Sequence, residues 1–179
     1  IAGLIYDAIE TSQPYLDEKN HNLAIALPEE ALWVEADRAR LEQVFSNLLI
    51  NAAKFTRENG SIRVAAERVN DQVAVSVSDN GVGMSNELLR RAFEMFSQGE
   101  RTTEGGGLGV GLTLVQSLVD LHGGSVEAHS EGIDRGSVFI VRLPLTQTPQ
   151  EAKSQPQAIP ATARDRKKML IVDDNKMQA

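Results

Sequence analysis

Three polar residues, Asn47, Asn51 and Lys54, recur at intervals of four and three positions, which on a helix places them along one edge. Beside them Leu41, Val44, Phe45, Leu48, Leu49, Ala52 and Phe55 recur at three- and four-residue intervals and make an apolar face. Asparagine inside a helix costs roughly half a kcal/mol relative to alanine. A merely solvated edge would more cheaply carry Glu, Lys or Ala. Two amide oxygens and one ammonium suit a metal-chelated polyphosphate, because Mg²⁺ prefers hard oxygen ligands and lysine offers phosphate a point charge. The plainer alternative is an amphipathic helix with ordinary polar flanks.

A second group is Asp79-Asn80-Gly81-Val82-Gly83. Val73, Val75 and Val77 alternate along a predicted strand, and Asp79 shares their parity, so its carboxylate points to the core side. A buried carboxylate without partners is costly, so something must donate to it. The alternative is a strand-end aspartate turned outward before a glycine turn. Gly81 and Gly83 permit positive φ or close approach of a ligand to the backbone. The third group, Gly105-Gly106-Gly107-Leu108-Gly109-Val110-Gly111, runs into a helix carrying Leu112. Free N–H groups and the helix dipole favour phosphate there, although a flexible glycine linker would look the same. No Gly-Lys-Ser/Thr follows, so this is not a Walker A loop. A Rossmann fingerprint should follow a strand, and the eukaryotic-type kinase signatures are missing.

The elements that must position these groups follow from periodicity and punctuation. Ile1 to about Lys19 reads as a helix with a face of Leu4, Ile5, Ala8, Ile9, Ser12 and Leu16, weakened locally by Pro14. Leu23–Leu27 reads as a strand stopped by Pro28, and Leu32–Glu35 as a second short strand. Asp37 is the expected N-cap of the central helix, and Asn59-Gly60 the turn after it. A hairpin then alternates Ile62, Val64 and Ala66 against Val73, Val75 and Val77 about an Asn70-Asp71 turn. A helix is expected over Asn86–Phe96, and Ser97–Glu104 reads as a polar mobile loop. The helix after Gly111, with Leu112, Leu114, Val115, Leu118, Val119 and Leu121 apolar nearly all round, should be buried and capped at His122-Gly123-Gly124. Strands over Ser125–Glu131 and Ser137–Leu143 close the domain.

At 41% hydrophobic and 24% charged, the 179 residues suffice for one ordinary globular domain plus a tail. A net charge of −7 argues against a nucleic-acid partner. The absence of cysteine excludes disulfides and thiolate chemistry and fits a cytoplasmic location. No apolar run approaches the ~20 residues that span a bilayer, so no direct membrane contact is expected. The first residue is Ile and no signal pattern follows, which reads as a piece of a longer protein. Residues 146–166, rich in Gln, Pro, Ala, Thr and Ser, read as a linker after a domain spanning 1–145. A basic cluster then precedes Met169-Leu170-Ile171-Val172-Asp173-Asp174-Asn175.

Taken in order, Asn47–Thr56, Asp79–Gly83, Phe93-Glu94-Met95-Phe96 and Gly105–Leu112 resemble the N, G1, F and G2 boxes of bacterial sensor histidine kinases, members of the GHKL ATPase superfamily. The resemblance covers about Ile1 to Pro144. It implies a two-layer α/β sandwich of the Bergerat type: a mixed, mainly antiparallel sheet with helices on one face, binding Mg²⁺-ATP between the helix layer and the loops. By position, Asp79 would accept from the adenine amino group, and Gly81 and Gly83 would shape the base pocket. Asn51 would ligate Mg²⁺ with Asn47 beside it, Lys54 would reach the phosphates, and Phe55 would lie against adenine. Gly107, Leu108, Gly109, Val110, Gly111 and Leu112 would bring backbone to the phosphates. Ser97–Glu104 would be the ATP lid, with Arg101 a phosphate contact. Residues 167–179 resemble the opening strand of a receiver domain, as in a hybrid kinase.

Hydrolysing members of that superfamily carry Glu one turn before the Mg²⁺-binding Asn. Asn47 stands there, and an amide cannot take a proton at neutral pH. The implied chemistry is therefore γ-phosphoryl transfer to an outside imidazole, with positioning and charge neutralisation supplied by the protein. His21, His122 and His129 are followed by Asn, Gly and Ser, not by the acid that follows a phosphoacceptor histidine. The expected partners are an upstream dimerisation and phosphoacceptor domain and a receiver domain, in cis or on a separate response regulator. His122 reads as structural. An ATP-driven clamp and a non-catalytic docking module are the rival classes; Asn47 counts against the first, and Asn51, Asp79 and the glycine box against the second.

Overall fold

The computed structural model describes residues 1–94 and 111–146. Helix α1 (Ala2–Glu18) buries Leu4, Ile5, Ala8, Ile9, Ser12 and Leu16, the face expected from periodicity, and carries Pro14 on its exposed side. Helix α2 (Arg38–Phe55) starts where the Asp37 side chain accepts from the Arg40 N–H, and buries Leu41, Val44, Phe45, Leu48, Leu49, Ala52 and Ala53. Each large side chain among these contributes about 1.5–3 kcal/mol of burial. The short α3 (Asn86–Arg90) and α4 (Gly111–Leu121) complete the helices of the described residues.

Five strands, β1 (Asn22–Ala26), β2 (Ser61–Val69), β3 (Gln72–Asp79), β4 (Ser125–His129) and β5 (Ser137–Pro144), form one sheet in the order β1-β2-β3-β5-β4. β1 and β2 are parallel, and α2 lies in the crossover that such a pair requires. The other pairings are antiparallel. Inward residues Ile62, Val64, Val73, Val75, Val77, Phe139, Val141 and Leu143 share one core with α1, α2 and α4. Polar and small residues such as Arg63, Ser76 and Ser78 occupy the opposite face. The result is a two-layer α/β sandwich. α2 lies in the middle of the helix layer, packed against both α1 and α4.

Three expectations are corrected. Leu32–Glu35 is not a strand. The Leu32 carbonyl instead accepts from the Ile1 ammonium at 2.8 Å and the Trp33 carbonyl from the Thr146 N–H at 2.8 Å, so no ladder is left to build. The helix expected to run to Phe96 ends at Arg90. Tight bonds from Arg91 N to Leu88 O and Ala92 N to Leu89 O close it, and the Phe93 carbonyl is taken by Thr113 Oγ1 at 2.9 Å. Helix α4 is not buried all round: Val115, Leu118 and Val119 face the core, whereas Leu121 is 81% exposed. Among the described residues, α2 is the helix that α4 packs against. Outside the described residues lie the lid expected over 97–104, Arg101, Gly107, Leu108, Gly109, Val110, Met95, Phe96, and nearly all of the linker and the receiver-like tail.

Candidate nucleotide site

Asn47, Asn51 and Lys54 sit half-buried on successive turns of α2, and Phe55 closes the helix beside them. The buried face of α2 fixes its rotation, so the polar edge is held at the margin of the core. Lys54 Nζ lies 5.0 Å from the Phe55 ring centroid, close enough for a cation–π attraction. Thr56, the C-cap, is extended, and the chain leaves the helix there.

Asp79 ends β3, as its parity requires, paired with Ser137 on β5 and Ile62 on β2. Burial pushes its carboxyl above the ordinary carboxylate range, against the backbone N–H groups of Gly81 and Ser137, which favour the ionised form. The Gly81 N–H donates to Asp79 Oδ1 at 2.8 Å. A carboxylate offers about four acceptor sites, so capacity remains for a further donor.

Gly81 brings the strand and helix groups together. A Cβ there would stand 2.3 Å from the Phe55 carbonyl oxygen and 2.9 Å from Asp79 Oδ1. The next residue, Val82, donates its N–H to that Phe55 carbonyl at 3.1 Å. Gly83 has φ +63°, and a Cβ there would lie 2.1 Å from the Gly132 carbonyl. Gly83 has the positive φ that the sequence allowed, and at both glycines it is protein backbone that approaches closely.

The loop between β4 and β5 braces this turn, a role that the sequence reading missed. Ser130 Oγ accepts from the Met84 N–H at 2.9 Å and donates to the Gly136 carbonyl at 2.7 Å. Gly136 N donates to Gly81 O at 3.1 Å, Asp134 N to Val82 O at 2.7 Å, and the Asp134 carboxylate pairs with Arg57. The available signal was the pair Gly132 and Gly136 between the two last predicted strands. Gly111 and Leu112 open α4, which packs against α2; both are half-buried. His122 is structural as read: Nδ1–H donates to Leu118 O at 2.7 Å and Nε2 accepts from the Asp37 N–H at 3.1 Å.

Among the described residues no cluster of three or more His, Cys, Asp or Glu could hold a metal by itself. Mg²⁺ keeps waters and takes one or two protein ligands plus substrate phosphates, so an amide such as Asn51 at a nucleotide site fits its chemistry. No helix among the described residues is long and apolar enough to cross a membrane.

Residues 36–147 match the family of histidine kinase-, DNA gyrase B- and HSP90-like ATPases. Sensor protein KdpD of Clostridium acetobutylicum is 32% identical over 146 residues, covering 80% of this chain but only 16% of that protein. The catalytic domain of the histidine kinase ThkA superposes with a TM-score of 0.70 at 31% identity, over 82% of this chain and 95% of that domain. ThkA in complex with the response regulator protein TrrA superposes with a TM-score of 0.67 at 31% identity, over 82% and 40%.

Proposed function

The chain belongs to the histidine kinase-, DNA gyrase B- and HSP90-like ATPases in the form found in sensor histidine kinases, and from that premise we propose that it is the ATP-binding catalytic domain of a protein-histidine kinase. The observation that carries the reading is the meeting of Asp79, Gly81 and Phe55 at the end of α2, the helix whose polar edge bears Asn47, Asn51 and Lys54. Asp79 accepts from the adenine amino group, Gly81 and Gly83 let backbone form the pocket floor, and Phe55 lies along the base. Lys54 neutralises phosphate charge, Asn51 holds Mg²⁺ with Asn47 beside it, and Gly111 and Leu112 present the N-terminal end of α4 to the phosphates.

Because Asn47 cannot act as a base toward water, the γ-phosphoryl group passes to an imidazole nitrogen. Its bond to the β-phosphate oxygen breaks as the P–N bond forms, ADP leaves, and the imidazole proton is released. The chain spans only 16% of KdpD, and the acceptor histidine belongs to a separate helical domain. The complex of ThkA with TrrA supports a response regulator as the next partner; the receiver-like sequence from residue 167 offers the alternative of a receiver domain in cis. A domain over 1–145, a linker over 146–166 and cytoplasmic ATP complete the proposal.

Labelled ATP tests it. The chain alone should bind nucleotide and retain no phosphate, and an added two-helix acceptor domain from the same parent should become labelled on histidine. Transfer in trans should be slow, because separating the domains discards an effective concentration on the order of millimolar. Acid-stable label on the isolated chain would indicate Ser or Thr phosphorylation and overturn the reading.

A further inference from the structure

Lys19 belongs to none of the four motifs, yet its side chain reaches the end of the helix that carries the site. Its ammonium donates to the carbonyls of Ala53 at 3.3 Å, Lys54 at 2.7 Å and Thr56 at 3.2 Å. An ammonium has three protons, and here each has an acceptor. The carbonyls of Ala53 and Lys54 are among those that a helix C-terminus leaves without an internal partner, and a cation there also meets the negative end of the helix dipole. His21 Nε2–H shares the Ala53 carbonyl at 2.9 Å. The Phe55 carbonyl is held instead by the Val82 N–H at 3.1 Å. Four consecutive carbonyls, 53 to 56, thus each have a donor from outside α2, and Lys19 supplies three of them.

The backbone reinforces the grip. Asn59 N donates to Lys19 O at 2.8 Å and Asn22 N to Gly60 O at 2.8 Å, so the α1–β1 turn is tied to the α2–β2 turn. Both turns pass through a left-handed asparagine, Asn20 with φ 52° and Asn59 with φ 58°.

We propose that Lys19 is a positioning residue for the nucleotide: by holding the last turn of α2 it sets the direction in which Lys54 and Phe55 leave the helix toward Gly81. The inference rests on the nucleotide-site reading above. Asn51 lies one turn back, where the buried face of α2 holds it. Loss of Lys19 therefore misplaces the phosphate-binding ammonium and the aromatic ring while the metal ligand keeps its place.

Calorimetric titration of the full chain with Mg²⁺-ATP, well below its unfolding temperature, separates positioning from stability. Lys19→Met should weaken ATP binding about tenfold, the scale of one lost charge-assisted hydrogen bond, with the Mg²⁺ dependence of binding unchanged. Lys19→Arg should recover most of the affinity. Val73→Ala, a buried position at the hairpin end of β3, should lower the unfolding midpoint and leave ATP affinity at the parental value. Lys19→Gln, which keeps a neutral donor, replaces Lys19→Met if that variant does not fold, and should weaken ATP in the same sense. Parental ATP affinity in a folded, destabilised Lys19 variant would make the lysine a purely structural clamp and overturn this proposal alone. Absence of ATP binding by the parent would overturn the nucleotide-site reading, and this proposal with it.

Discussion

Gly81 and Phe55 are in backbone contact: a Cβ on Gly81 would stand 2.3 Å from the Phe55 carbonyl oxygen, and Val82 donates to that same oxygen at 3.1 Å. The turn after β3 and the end of α2 are thereby locked at one spacing. Gly81→Ala must push the two apart, an overpacking cost of about 1–3 kcal/mol. The expected outcome is a lower denaturation midpoint together with weaker ATP binding. An unchanged midpoint would mean that the two segments separate freely.

Asp79 carries a pH signature. Its folded-state pKa lies above the ordinary value because of burial, opposed by the N–H groups of Gly81 and Ser137. The native state then binds the proton more tightly than the unfolded chain. Stability falls as pH rises from about 3.9 through the raised value, and the deficit persists above it. Asp79→Asn should therefore gain stability over the parent at pH 7 and show no gain at pH 3. Equal unfolding free energies of the two proteins at both pH values would contradict the buried-carboxylate account.

The same residue governs binding. Asp79→Ala removes the charged acceptor for the adenine amino group, a loss of about 1.5–3 kcal/mol, or roughly ten- to a hundredfold in affinity. In the parent, ATP affinity should fall as pH is lowered through the raised Asp79 pKa, since the protonated carboxyl loses its charge. Calorimetry across that range checks both; parental affinity in the alanine variant would remove Asp79 from the site.

Asn51→Ala should leave the fold intact, as the side chain is half-buried on the polar edge of α2, and abolish the Mg²⁺ dependence of ATP binding together with histidine labelling. A metal titration indistinguishable from that of the parent would disprove the ligand assignment.

His122 joins the end of α4 to the start of α2 through Leu118 O and Asp37 N. His122→Ala should cost about 1–2 kcal/mol from two lost hydrogen bonds, with ATP affinity unchanged. Weakened ATP binding in this variant would show that the link is not merely structural.

Local order in the sequence was enough for much of this. The spacing of Leu41, Val44, Leu48 and Ala52 fixes the rotation of α2, and hence which edge carries Asn47, Asn51 and Lys54. The parity of Val73, Val75 and Val77 carries Asp79 to the end of β3. Both follow from the fixed periods of helix and strand. Other outcomes depended on partners distant in the chain. Leu32–Glu35 has strand-like composition but spends carbonyls on Ile1 and Thr146. α4 is apolar nearly all round, yet only its neighbours decide which side is covered. Ser130, Gly136 and Lys19 look unremarkable in sequence, because hydrogen-bond donors and acceptors separated by tens of residues leave no periodic trace. Only tertiary structure brings Lys19 under the last turn of α2 and Gly81 against Phe55.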